Sequence, residues 1–235
     1  MTGEGWLGPA EWQAIALSFK VALVATLCSL PVGLGVALLL ARGRFWGRGL
    51  LNLLVHLPLV MPPVVTGYLL ILGFGRRGPL GTMFEEVFGL VFAFRWTGAA
   101  LAAAVMGFPL MVRAIRLAVE AVDPGLEEAA STLGAGRLRV FGTVTLPLIL
   151  PGVLAGAVLG FAKGLGEFGA TVTFVSNIPG QTRTVPLAID TLLDMPGGEP
   201  LALKLALVSI AVAAAALALS EWLARRVRGA RGGQA

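Results

Sequence analysis

Apolar residues run in five stretches that are long enough to cross a bilayer. A helix rises about 1.5 Å per residue, so a hydrocarbon core of about 30 Å takes roughly 20 mostly apolar residues. Residues 14–40, 50–74, 96–118, 148–170 and 201–223 meet that requirement. Residues 79–94 are weaker, because Glu85 and Glu86 interrupt them, and they read as an interfacial or re-entrant segment. The predicted fold is all-α: a polytopic transmembrane bundle of about five spanning helices, forming one domain over residues 1–235.

Composition strengthens that picture. The chain is 57% hydrophobic and 13% charged, with a mean hydropathy of +0.86. A soluble domain carries roughly 25% charged residues. Too few polar groups remain to cover a water-facing surface, so lipid is the solvent for much of the chain. The net charge of +5 does not point to nucleic acid. The arginines sit in short loops between apolar runs, and no basic face with interleaved aromatics occurs. Cys28 is the only cysteine and lies within an apolar run, so an intrachain disulfide is excluded. The N-terminal MTGEGWLGPAEW lacks a basic start, and no cleavable signal peptide is expected.

Loop charge sets an orientation. Arg42, Arg44 and Arg48 follow the first span, Arg113, Arg116, Arg137 and Arg139 follow the third, and Arg225, Arg226, Arg228 and Arg231 follow the fifth. With five spans these groups share one side, which the positive-inside rule makes cytoplasmic. The opposite loops hold Arg76, Arg77, Arg95, Arg183 and Lys204. The N-terminus is therefore expected outside and the C-terminus inside a cell (inner) membrane. Trp6, Trp12, Trp46, Trp96 and Trp222 fall near span ends, as an aromatic belt does, and Lys20 and Lys204 lie where they can snorkel.

Within the spans, Gly152, Gly156 and Gly160 form a face of small residues, suited to bundle packing or to a dimer or pathway face. Lys163 and Glu167 are four residues apart, either neutralising each other or lining a pathway. His56 is the only histidine and suits packing or a backbone hydrogen bond. Thr66 and Tyr68 offer hydroxyls, with back-bonding to the helix the expected use of Thr66.

The loop at residues 120–147 is the most informative. Asp123 is a good N-cap and Pro124 suits the first helical position. Glu127 and Glu128 fall in the early turns, and Leu126, Ala129, Ala130 and Leu133 make one apolar face. Gly134 is a plausible stop, and a second short helix is predicted from about Arg137 to Thr143. A two-helix knob on the cytoplasmic side suits docking in a groove of a soluble partner.

Glu128-Ala129-Ala130, then Gly134, Val144 and Leu146-Pro147, resembles the EAA motif of ABC importer permeases, with Val144 where that motif has Ile. The stretches 56–70, 106–124, 165–189 and 220–226 resemble molybdate permease subunits, a likeness running from about residue 11 to 228. The resemblance implies a type I ABC importer permease fold and a coupling role for Glu127, Glu128, Ala129, Ala130, Leu133, Gly134, Leu146 and Pro147. It places Gly166 to Thr171 beside the translocation pathway, whose candidates are Thr66, Lys163, Gly166, Glu167, Phe168 and Gly169. Five spans can barely enclose a path for an oxyanion, so a homodimer is expected, with two ATP-binding cassette subunits on the cytoplasmic side and an extracytoplasmic oxyanion-binding protein as further partners. No Walker A sequence, catalytic triad or metal cluster occurs, so no cofactor is expected in this chain; ATP and Mg would be bound by the partner ATPase. Sulfate or thiosulfate is the alternative cargo. An ion-coupled secondary transporter is disfavoured, since it should show internal repeats and would leave the EAA loop unexplained.

Overall fold

In lipid every backbone N–H and C=O must be satisfied within its own segment, and the apolar runs accordingly fold as helices. A computed structural model describes residues 6–232, with the side chains of Ser220 and of residues 223–232 outside the described set. Arg225, Arg226, Arg228 and Arg231 fall in that outside set. No strand occurs among the described residues.

Helix α1 (Pro9–Arg42) opens on a proline, whose missing N–H is harmless in a first turn, and ends at Gly43. The second expected span is broken. Helices α2 (Arg48–Val60) and α3 (Pro63–Phe74) meet at a bend of 117°. Met61 and Pro62 are extended there, with ψ of 148° and 134°. A residue that precedes proline is pushed out of the α region, and Met61-Pro62-Pro63 applies that constraint twice in succession. Helix α4 (Pro79–Phe88) is the interfacial segment, ten residues long and too short to span. Phe84 joins it to Phe74 and Phe92 through ring contacts of 6.1 and 5.4 Å.

Helix α5 (Trp96–Glu120) is the central element, followed by α6 (Pro124–Thr132) and α7 (Arg137–Val140). The second short helix expected at 137–143 is not separate. Helix α7, a π turn at Phe141–Thr145 and α8 (Leu146–Leu165) run on as one helix of 29 residues. Pro147 has no N–H to give, and its ring crowds the carbonyl four residues back. The π turn lies just before it, with the Leu146 N–H donating to Phe141 five residues earlier, and the wider turn lets the helix continue. Helix α8 stops at Leu165, short of the expected 170. After a break come α9 (Gly169–Val175), α10 (Val185–Leu193) and α11 (Glu199–Gly232).

Contacts fix the direction of each pass. Arg42, at the end of α1, reaches the carbonyls of Val119 and Val122, so α1 and α5 finish at the same end of the bundle. Asn52 of α2 accepts from Arg116 near that end, whereas Leu70 of α3 is buried with Ala99 and Ala100 near the other. The bent pair therefore crosses the bundle as one pass. Helix α8 returns antiparallel to α5: a Cβ on Gly152 would strike Ala118, one on Gly156 would lie 2.9 Å from the Met111 carbonyl, and one on Gly164 would lie 3.3 Å from Ala103. The glycine stripe thus packs inside the chain and is not a dimer face. Helix α11 packs on α8 and α10 and runs antiparallel to α8, with Leu205 in the core cluster of Val185 and Ala188 and Ala216 packed on that of Phe161 and Leu165. Four helices are long and apolar enough to cross a membrane, and the bent pair makes a fifth pass; of the four, α5 is the most enclosed and α11 the most open, with 61% and 11% of the apolar stretch buried.

Candidate functional site

Two regions carry the candidate residues. The first projects from the end where α1 and α5 finish. The Asp123 carboxylate accepts from the Gly125 N–H at 2.9 Å and caps α6. Gly134, with φ of +84°, turns the chain where a side chain would be strained, and the Ala135 N–H donates back to Ala130. Leu126, Leu133 and Leu138 are 49%, 89% and 89% exposed, so the apolar face of the loop points away from its own bundle. Glu128, Ala129 and Gly134 are exposed with them, and Ala130 is half-buried.

Glu127 behaves differently from its neighbour. Its carboxylate turns inward, 3.2 Å from Arg42, and accepts from the Thr145 hydroxyl at 2.7 Å. Thr145 is buried inside the π turn, and a cavity of about 290 Å³ lies between loop and bundle beside these groups. Leu146 packs on the inner core cluster, and Pro147 is half-buried in the first turn of α8. Glu127, Leu146 and Pro147 thus hold the loop, while Glu128, Ala129, Leu133 and Gly134 present it. Arg42 and Thr145 are the residues sequence reasoning missed, and no local signal marks them.

The second region is the break between α8 and α9. Lys163 and Glu167 pair at 2.8 Å, and the same carboxylate accepts from the Ala170 N–H at 3.0 Å, starting α9. Glu167 is 2% exposed, so it meets an anion only as a neutralised, internally bonded group. Helix α9 lies tightly on α3: a Cβ on Gly67 would stand 2.7 Å from the Ala170 carbonyl, and one on Gly169 would stand 2.7 Å from Pro63. Thr66 sits between those two contacts, buried. Contrary to the expected back-bond, its buried hydroxyl has no hydrogen-bond partner. Gly166 and Phe168 instead line an apolar cavity of about 540 Å³ between α8, α10 and α11. The six pathway candidates therefore divide between two faces of one break. His56 is accounted for by its Nδ1, 2.8 Å from the Asn52 carbonyl. Among the described residues no group of three or more metal-ligating side chains occurs.

The chain is 62% identical over 215 residues to the molybdenum transport system permease protein ModB of Escherichia coli (strain K12), covering 92% of this chain and 94% of that protein. It is 55% identical to ModB of Haemophilus influenzae, covering 93% and 95%. It is 37% identical to the sulfate transport system permease protein CysW of Synechococcus elongatus, over 76% of this chain and 62% of that one. The same fold occurs in a bacterial ABC transporter involved in import of alginate, with a TM-score of 0.73 at 17% identity, covering 94% of this chain and 80% of that one. An amino acid ABC transporter shares it with a TM-score of 0.65 at 19% identity, covering 93% and 94%. Residues 29–229 match the sequence pattern that defines one family, and the chain belongs to it: the inner-membrane components of binding-protein-dependent transport systems.

Proposed function

We propose that this chain is the membrane-spanning permease subunit of an ATP-driven importer for molybdate. One observation carries the reading: a capped helical loop, fastened to the bundle through Glu127, turns Leu126, Glu128, Ala129 and Leu133 outward where none of the described residues covers them. An apolar bundle without a nucleotide-binding motif must take its energy from another protein, and this loop is the handle. Two copies of the chain form the pathway on a two-fold axis, each with a cytoplasmic ATPase on its loop. ATP binding draws the ATPases together, and the loops carry that motion into the bundle, shifting the population between two packings. The N-terminus lies outside, where a binding protein delivers the anion. Molybdate is favoured by near full-length likeness to two molybdenum permeases.

Reconstitution with the cognate ATPase and binding protein tests this. Glu128→Arg places the wrong charge on the exposed face of the loop and should abolish uptake while the chain still folds and inserts. Uptake at the wild-type rate would overturn the coupling role. The sulfate permease relative makes sulfate the second reading, and competition of molybdate uptake by sulfate and tungstate decides it.

A further inference from the structure

At the end of the bundle opposite the coupling loop, the chain carries a bay of about 530 Å³ that the positive-inside pattern does not ask for. Lys20 of α1, Arg76 after α3 and Arg95 at the start of α5 line it, together with Trp96 and Gln181. The Lys20 ammonium sits 3.7 Å over the Trp96 ring, which holds it in place without neutralising it. The ion pairs of the described residues lie elsewhere, and none of the three bay cations belongs to one. Glu85 and Glu86 of nearby α4 are not bonded to them. Phe94 on the bay wall has φ of 57°, a conformation disfavoured away from glycine. A second cavity of about 390 Å³ shares Arg76, Ala93 and Phe94 with the bay and reaches Ile71 of α3 and Phe174 of α9.

Three unopposed cations in a concave site focus a positive potential and raise the local concentration of anions. The adjoining cavity runs onto the α3–α9 pair, whose far end holds Thr66 and adjoins the Lys163–Glu167 pair at the end of α8. We infer that the bay is an anion-binding vestibule. It takes a hydrated tetrahedral dianion at the outer mouth and holds it weakly before it enters the α3–α9 region. Lys20, Arg76 and Arg95 act as its electrostatic funnel and Trp96 as the wall that fixes Lys20. The inference deepens the import reading and rests on it for the direction of travel.

The test is equilibrium binding to the full chain in nanodiscs, which exposes both faces and needs neither ATP nor a partner. Trp6, Trp12, Trp46 and Trp222 are replaced by Phe, leaving Trp96 as the reporter. Sodium molybdate and sodium sulfate are titrated at low salt, with sodium chloride at matched ionic strength as control. The expected result is a saturable change in emission for both dianions and none for chloride, fading as salt shortens the screening length. Arg76→Gln and Arg95→Gln should each weaken it about 3- to 10-fold, a dianion feeling each exposed cation about twice as strongly as a monoanion does. No saturable change, or one that both substitutions leave intact, overturns the vestibule. So does a change that appears only with the loaded binding protein, which would give the bay to that protein's carboxylates. Binding without molybdate uptake in the reconstituted system would sink the proposed transport function alone, and uptake with a silent bay would sink the vestibule alone.

Discussion

Glu167 bonds in two directions from a site that water hardly reaches. Lys163 neutralises it from one turn below, and the Ala170 N–H draws it into the start of α9. Removing either partner is not symmetric. Lys163 is 32% exposed along its side chain and is free to reorient, whereas Glu167 at 2% is not. Lys163→Met should therefore destabilise the chain more than Glu167→Gln does, on the order of 3 kcal/mol against about 1, because it strands a buried charge. The double variant should recover most of the loss. Thermal unfolding in detergent reads the order, and equal losses for the two single variants would refute it. The pairing itself was legible in the sequence, since four residues on a helix place two side chains together. The capping was not, because it depends on α8 ending at Leu165, and neither proline nor positive-φ glycine marks that end.

Helix α6 is held by its own cap and by a latch to a distant element. Arg42 and Glu127 are 85 residues apart in sequence, and Thr145 adds a third hand from the π turn. Each bond is partly exposed and contributes only about 0.5–1.5 kcal/mol, so neither decides whether the chain folds. What the latch decides is position: a push on the exposed face of α6 is passed to α1 as well as to α5 and α8. Arg42→Ala and Glu127→Gln should therefore leave assembly with the ATPase near normal and lower the anion transported per ATP hydrolysed. The exchange Arg42→Glu with Glu127→Arg should restore part of that ratio. Loss of assembly in the single variants, with no change in the ratio where complexes form, would remove the latch from the mechanism. The cap, the turn at Gly134 and the outward leucines follow from local chemistry and could be read from the chain. The latch could not, because nothing near Arg42 distinguishes it from Arg44 or Arg48. Nor could the fusion of α7 with α8, since Leu146-Pro147 reads as a stop unless a π turn is allowed before it.

At the scale of the whole molecule the number of passes hangs on the bend at Met61-Pro62. If α2 and α3 cross together, the residues just before α2 and just after α3 lie on opposite sides of the membrane, as the contacts of Asn52 and Leu70 require. If the pair turned back to its own side, the chain would make four passes. Arg42 could then no longer meet Val119 and Glu127 without α1 or α5 being inverted. The single cysteine makes this measurable: Cys28 is exposed within α1 and can be replaced by Ser, leaving a cysteine-free background. Arg44→Cys and Arg77→Cys then place one exposed thiol on each side of the α2–α3 pair. In intact spheroplasts a membrane-impermeant maleimide should label Arg77→Cys at once and Arg44→Cys only after permeabilisation. Labelling of both from outside, or of neither, would mean an even number of passes and a re-entrant α2–α3. The reverse pattern would keep five passes but turn the coupling loop away from the cytoplasm, where no ATP-driven partner could reach it.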